Sequence, residues 1–88
     1  MQRNWGSYKV LAEGMGYKVK SVLMKPDSAT SLQTHKYRKE VWVYIDENTI
    51  TVVEKGKKHR LVNKSDKPLR LIEVQLGKKC IESDIRRY

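Results

Sequence analysis

Apolar residues in this chain alternate with polar ones, and nowhere do they recur with a sustained helical period. Tyr17 to Met24 sets Tyr17, Val19, Ser21 and Leu23 on one side and Lys18, Lys20, Val22 and Met24 on the other. Val41-Trp-Val-Tyr-Ile45 is the strongest strand signal; Asp46-Glu-Asn48 breaks it, and Thr49-Ile-Thr-Val-Val53 resumes it. Lys55-Gly56-Lys57 reads as a turn whose glycine supplies positive φ. Arg60-Leu-Val62 and Leu69 to Leu76 are further strands, the latter with apolar residues on parts of both faces. Ile81 to Tyr88 is too short for a helix, although Glu82-Ser-Asp84 suits a single turn. Short strands at close spacing predict an all-β sandwich or barrel of two antiparallel sheets. At 88 residues the chain, 1–88, is one domain with a modest core.

The formal net charge of +9 draws in anions, whether nucleic acid, nucleotide or sugar phosphate. Cys80 is the one cysteine, so no disulfide forms within the chain, and a reducing cytoplasm is the expected compartment. No stretch has the length of a membrane span or of a signal-peptide apolar run. A small β domain with strand edges to cover is expected to pair as a homodimer.

The segment from Ser31 to Trp42 carries the chemistry. Gln33 and His35 are two apart and share a face in a strand, Glu40 opens the next strand, and His59 follows Gly56. Two imidazoles, a carboxylate and a neutral amide oxygen make a site for a divalent cation such as zinc, manganese or iron. Two ordinary surface histidines beside a basic loop are the plain alternative. If Lys18 and Lys20 face inward they need an anion, which a sugar phosphate provides; an exposed strand face is the competing expectation. The cluster Lys55-Gly-Lys-Lys-His-Arg60 suits nucleic acid phosphates only weakly, because no stacking motif accompanies it.

These residues resemble the cupins. His35-x-Tyr37 followed by Glu40 is similar to the first cupin motif, and Gly56-Lys-Lys-His59-Arg-Leu-Val-Asn63 to the end of the second. The closer resemblance is to the C-terminal cupin of type II mannose-6-phosphate isomerases, usually fused to a mannose-1-phosphate guanylyltransferase. Arg3-Asn-Trp-Gly-Ser-Tyr8 resembles the opening R-P-W-G-x-Y, Gly16-Tyr-Lys-Val-Lys20 resembles G-Y-x-V-K, and Ser31 to Trp42 resembles S-L-Q-x-H-x-H-R-x-E-x-W. Leu71-Ile-Glu-Val-Gln75 and Glu82-Ser-Asp-Ile85 follow in family order.

Against that pattern, Tyr37 stands where the second histidine is expected and Glu54 where a proline is. Between Trp42 and His59 the chain is shorter by one hairpin, on the order of twenty residues. The glycine-rich nucleotide motif of the guanylyltransferase occurs nowhere in these residues, so that activity is not expected. The resemblance implies a reduced cupin in which Gln33, His35, Glu40 and His59 hold the metal. It also implies that Arg60 or Lys20 meets the phosphate of mannose 6-phosphate, interconverted weakly or not at all with its ketose. Alternation objects to Arg60, which points away if His59 points inward. A non-catalytic module for a sugar, nucleotide or protein partner is the rival expectation.

Overall fold

The structure is a computed structural model that describes all residues from 1 to 88. It contains ten strands and no helix, and so no helix long and apolar enough to cross a membrane. The strands are β1 (Gln2–Arg3), β2 (Gly6–Gly14), β3 (Tyr17–Met24), β4 (Ser28–Ala29), β5 (Gln33–Thr34), β6 (Arg38–Tyr44), β7 (Thr49–Val53), β8 (Val62–Asn63), β9 (Leu69–Gly77) and β10 (Arg86–Arg87). Six of them form one sheet in the order β1-β2-β3-β9-β6-β7, paired antiparallel throughout. Two short ribbons, β10-β5 and β4-β8, make up the rest, and an isolated bridge ties Gln33 to His59.

Alternation decides what the large sheet buries. Lys18, Lys20, Val22 and Met24 of β3 face inward, against the expectation of an exposed lysine face, as do Arg38, Glu40 and Trp42 of β6 and Leu71, Glu73 and Gln75 of β9. Register then sorts them by kind. Val22 stands opposite Leu71, Lys20 opposite Glu73, Lys18 opposite Gln75, and Glu40 opposite Gln75 from the other side. One end of the interior is therefore an apolar cluster of Val22, Met24, Trp42, Val53, Leu61 and Leu71. The other end is polar. Full burial of side chains such as Met24 and Leu71 contributes about 1.5–3 kcal/mol each. Asn63 pegs the loops at the apolar end: its Nδ2 donates to the carbonyls of Lys25 (2.9 Å) and Lys67 (2.8 Å), and its Oδ1 accepts from Ser65.

Two elements differ from the sequence reading. The strand β2 escapes an alternation test because its register shifts between Val10 and Ala12, so the period breaks in mid-strand. Near His59 the strand is β8, beginning at Val62 rather than Arg60. The turn glycine Gly56 does take positive φ, at 75°, and its N–H donates to His35 O (2.8 Å). The outward face of the large sheet remains apolar, with Val19 beside Val74, Val74 beside Val41, Val41 beside Val52, and Ile72 beside Val43.

Candidate metal and anion site

A cavity of about 380 Å³ opens over the polar end of the sheet, with Gln33, Glu40, Trp42, His59 and Glu73 on its walls. Three of the expected ligands converge beside it, Glu40 and His59 on the wall and His35 buried against Glu40. His35 Nε2 lies 3.1 Å from Glu40 Oε2, His59 Nε2 lies 3.9 Å from Glu40 Oε1, and one donor atom from each residue falls within 4.8 Å of the others.

The backbone sets the tautomer of both rings. His35 Nδ1 is 2.6 Å from the carbonyl of Asp84, and His59 Nδ1 is 2.8 Å from the carbonyl of Lys57. A carbonyl only accepts, so each Nδ1 carries a proton and each Nε2 is turned toward the Glu40 carboxylate. Burial holds the His35 pKa below its ordinary 6.5, against the raising effects of the Asp84 carbonyl and of Glu40. The Nε2 atoms of both rings thus converge on the one carboxylate of Glu40.

Gln33 lies on the same wall through reciprocal backbone bonds to His59, both 2.9 Å. Its Nε2 donates to Ser31 O (3.1 Å), which leaves the amide oxygen without a protein partner. Glu40 is held from its other sides: Arg38 Nε donates to Oε2 (3.0 Å) and Trp42 Nε1 to Oε1 (2.9 Å). The Arg38 guanidinium also reaches Ile81 O (3.0 Å) and approaches His35 Nε2 (3.4 Å). Nitrogen and oxygen donors on side chains fixed from behind fit a divalent cation, for which the backbone carbonyls of Asp84 and Lys57 would act as outer support.

Tyr37 is not in the cavity. The chain bends between β5 and β6, so His35 and Arg38 face inward while the Tyr37 ring turns to the opposite surface beneath Lys79 and Lys36. The expectation that it stands in a ligand position is therefore corrected. Arg60 is corrected too: His59 and Leu61 face inward, and Arg60 is exposed and absent from the cavity wall. Lys20 does line the cavity, but its ammonium is already paired with Glu82 (3.0 and 2.9 Å) above the Tyr8 ring. Burial works to raise the Glu82 carboxyl, yet the hydrogen bond and charge of Lys20, with help from Lys18 and Arg38, hold it below the usual carboxylate range.

Three wall residues escaped the sequence reading. Arg3 and Arg87 stand at the cavity with no carboxylate partner. Glu73 is the third. Its carboxyl is pushed up to about 7 by burial and by the charge of Glu40, with the Gln75 hydrogen bond (2.7 Å), Lys20 and Arg38 opposing. The signal was present: an acid between Leu71 and Gln75 on the inward face of a strand.

The family profile described as mannose-6-phosphate isomerase C-terminal matches residues 1–88. The chain belongs to this family. It is 36% identical over 101 aligned positions to the xanthan biosynthesis protein XanB of Xanthomonas campestris, covering 98% of this chain and 22% of that protein. With the alginate biosynthesis protein AlgA of Pseudomonas putida the identity is also 36%, covering 98% of this chain and 21% of that one. With the mannose-1-phosphate guanylyltransferase of Salmonella muenchen it is 33%, covering 97% and 21%. The chain therefore spans about a fifth of the length of these relatives.

Among solved structures, the capsular polysaccharide assembling protein CapF of Staphylococcus aureus superposes with a TM-score of 0.76 at 12% identity, over 99% of this chain and 33% of CapF. A cupin domain of Bordetella pertussis superposes at 0.55 and 15% identity, over 88% of this chain and 98% of that one. The second of these likenesses shows the cupin fold for this family member.

Proposed function

We propose that this cupin binds a hexose phosphate beside a divalent cation and interconverts mannose 6-phosphate and fructose 6-phosphate at a low rate. The observation that carries the reading is the convergence of His35 Nε2, His59 Nε2 and the Glu40 carboxylate within 4.8 Å, with both histidine protons held elsewhere. Gln33, His35, Glu40 and His59 would hold the cation, which when bound polarises the sugar's C1 and C2 oxygens.

The chain's own residues supply the remainder. Arg3 and Arg87 are the unpaired cations at the cavity and take the phosphate. Trp42 and Tyr8 offer apolar wall to the sugar ring. Aldose–ketose isomerisation moves one proton between C2 and C1 and one between the two oxygens, with no net change in charge. Glu73, on the same wall, is the group for the carbon proton: a carboxyl titrating near 7 both accepts and returns a proton at neutral pH. That role fills the gap left once Glu40 is assigned to the cation.

A non-catalytic sugar-binding role is the second reading. Glu82 favours it, because the arm that follows β9 supplies the anion for Lys20 and leaves that deep cation engaged.

A coupled assay of fructose 6-phosphate formation, with manganese or zinc added, tests the proposal on the wild-type protein, Glu73→Gln and His59→Ala. Slow turnover lost in both variants supports the isomerase. Saturable binding of mannose 6-phosphate with no turnover in any of the three moves the assignment to the binding module.

A further inference from the structure

A second concavity, a groove of about 550 Å³, meets the cavity at Ile85 and has His35 and Asp84 on its wall. Lys36, Lys55, Lys79 and Arg86 line it. None of the four has a carboxylate within salt-bridge reach, whereas the inward lysines do. The one acid on its wall is Asp84, which is buried, and both of its oxygens are occupied by the amides of Lys36 (2.9 Å) and Tyr37 (3.0 Å). Four cations thus face a single carboxylate in the groove.

Three of the four cations lie over aromatic rings. Lys79 Nζ sits 4.6 Å and Lys36 Nζ 5.4 Å from the centre of the Tyr37 ring, so one aromatic face system gathers two like charges. Arg86 is set 5.2 Å over the Tyr88 ring, and Thr34 meets the Tyr88 hydroxyl at 3.2 Å. A floor is ordered beneath them by the bonds from Asp84 to the chain and from Gly56 N–H to His35 O. Like charges assembled around a concavity on a rigid floor are an electrostatic focus for a multivalent anion.

The geometry points to a second anion site here, one that takes a small polyphosphate. The groove volume lies in the range of small-ligand sites. Four spread cations match two or more phosphate groups better than a single carboxylate. The chain's own ammonium groups already lie over the Tyr37 ring and compete with a nucleobase for stacking on it; this favours phosphate recognition over single-stranded nucleic acid. The groove shares Ile85 with the cavity and has His35 on its wall, but the inference rests on its outer cations and does not depend on the isomerase reading.

Calorimetry with inorganic pyrophosphate at near-physiological ionic strength tests the inference, with amide chemical shifts mapped in parallel. The wild type is expected to bind one equivalent, with shifts at Lys36, Tyr37, Gly56 and Lys79. The double variant Lys36→Glu/Lys79→Glu should weaken binding by about tenfold or more, whereas Lys9→Glu/Lys64→Glu, with the same net charge, should cost less than about threefold. Lys36→Gln/Lys79→Gln repeats the comparison if the reversed charges compromise folding. Equal losses in the groove and control variants would show a response to net charge alone. Shifts centred on Gln33, His59 and Lys20 would place the anion in the cavity. Either result, or no saturable binding, overturns the inference.

Discussion

His35 and Glu40 meet edge to oxygen, 3.1 Å apart and both almost wholly buried, with the ring's proton on the far side. The carboxylate is the hub of the interior: Arg38, Trp42, His35 and His59 all address it. Glu40→Gln keeps the shape and removes the charge, leaving the Arg38 guanidinium buried without its partner. We expect a loss of about 3–5 kcal/mol in urea unfolding of the metal-free protein, the usual consequence of breaking a buried ion pair from one side. An equal stability for the two proteins would mean that Arg38 is satisfied by Ile81 O alone.

Two buried groups give stability opposing pH dependences. The folded Glu73 pKa, about 7, lies above its ordinary 4.5, so its contribution is fully present below pH 4.5 and is lost as pH rises through 7. The folded His35 pKa lies below 6.5, so its contribution is present above pH 6.5 and is lost as pH falls through the lowered value. In chelator-treated protein, Glu73→Gln should match the wild type near pH 4.5 and exceed it progressively up to pH 8. The gap should reach the order of 3 kcal/mol. A gap independent of pH between those limits would contradict the assignment.

Because the Tyr37 ring faces the opposite surface, Tyr37→His should not tighten zinc or manganese binding. Gln33→Ala should weaken it, since the only neutral oxygen donor beside His59 is lost, by about tenfold. His59→Ala should weaken it further. Calorimetry on tag-free protein reads all three, and a tighter Tyr37→His would return that residue to the cavity.

The outward face of the large sheet carries as much apolar character as the interior. Val19, Val41, Val43, Ile72 and Val74 are only half-buried there, and Ile50 is 64% exposed. The interior buries just six apolar residues. Such a face calls for a cover, and we expect a second copy to provide it, the homodimer anticipated from strand edges now placed on a face. Light scattering should give dimer mass at high concentration, and Val43→Lys/Ile72→Lys should give monomer with the fold retained. Monomer mass for the wild type at every concentration would remove this pairing.

The fold was legible where alternation survived. The strands β3, β7 and β9 follow from it nearly residue for residue and β6 begins at Arg38, ahead of the run from Val41, while β2 was lost to one register shift at Leu11. The ligand trio was legible because His, Glu and His are rare enough here to stand out. Glu73, Arg3 and Arg87 were not, because a chain with 19 Lys and Arg and 10 Asp and Glu offers charge everywhere. Only register shows which charges are enclosed. Local geometry also decided Tyr37: a bend between two strands moves a residue to the other surface, and two-residue counting does not detect it.

Both imidazoles are oriented by main-chain carbonyls, those of Asp84 and Lys57, rather than by side chains. Every amino acid carries that carbonyl. Sequence drift at the two supporting positions therefore changes what surrounds the histidines without withdrawing the acceptors that aim them. In evolutionary terms the chemistry is insulated from its neighbours: a lineage can shed a hairpin, alter its loops or change partners, and the inward lone pairs persist for as long as the two histidines do.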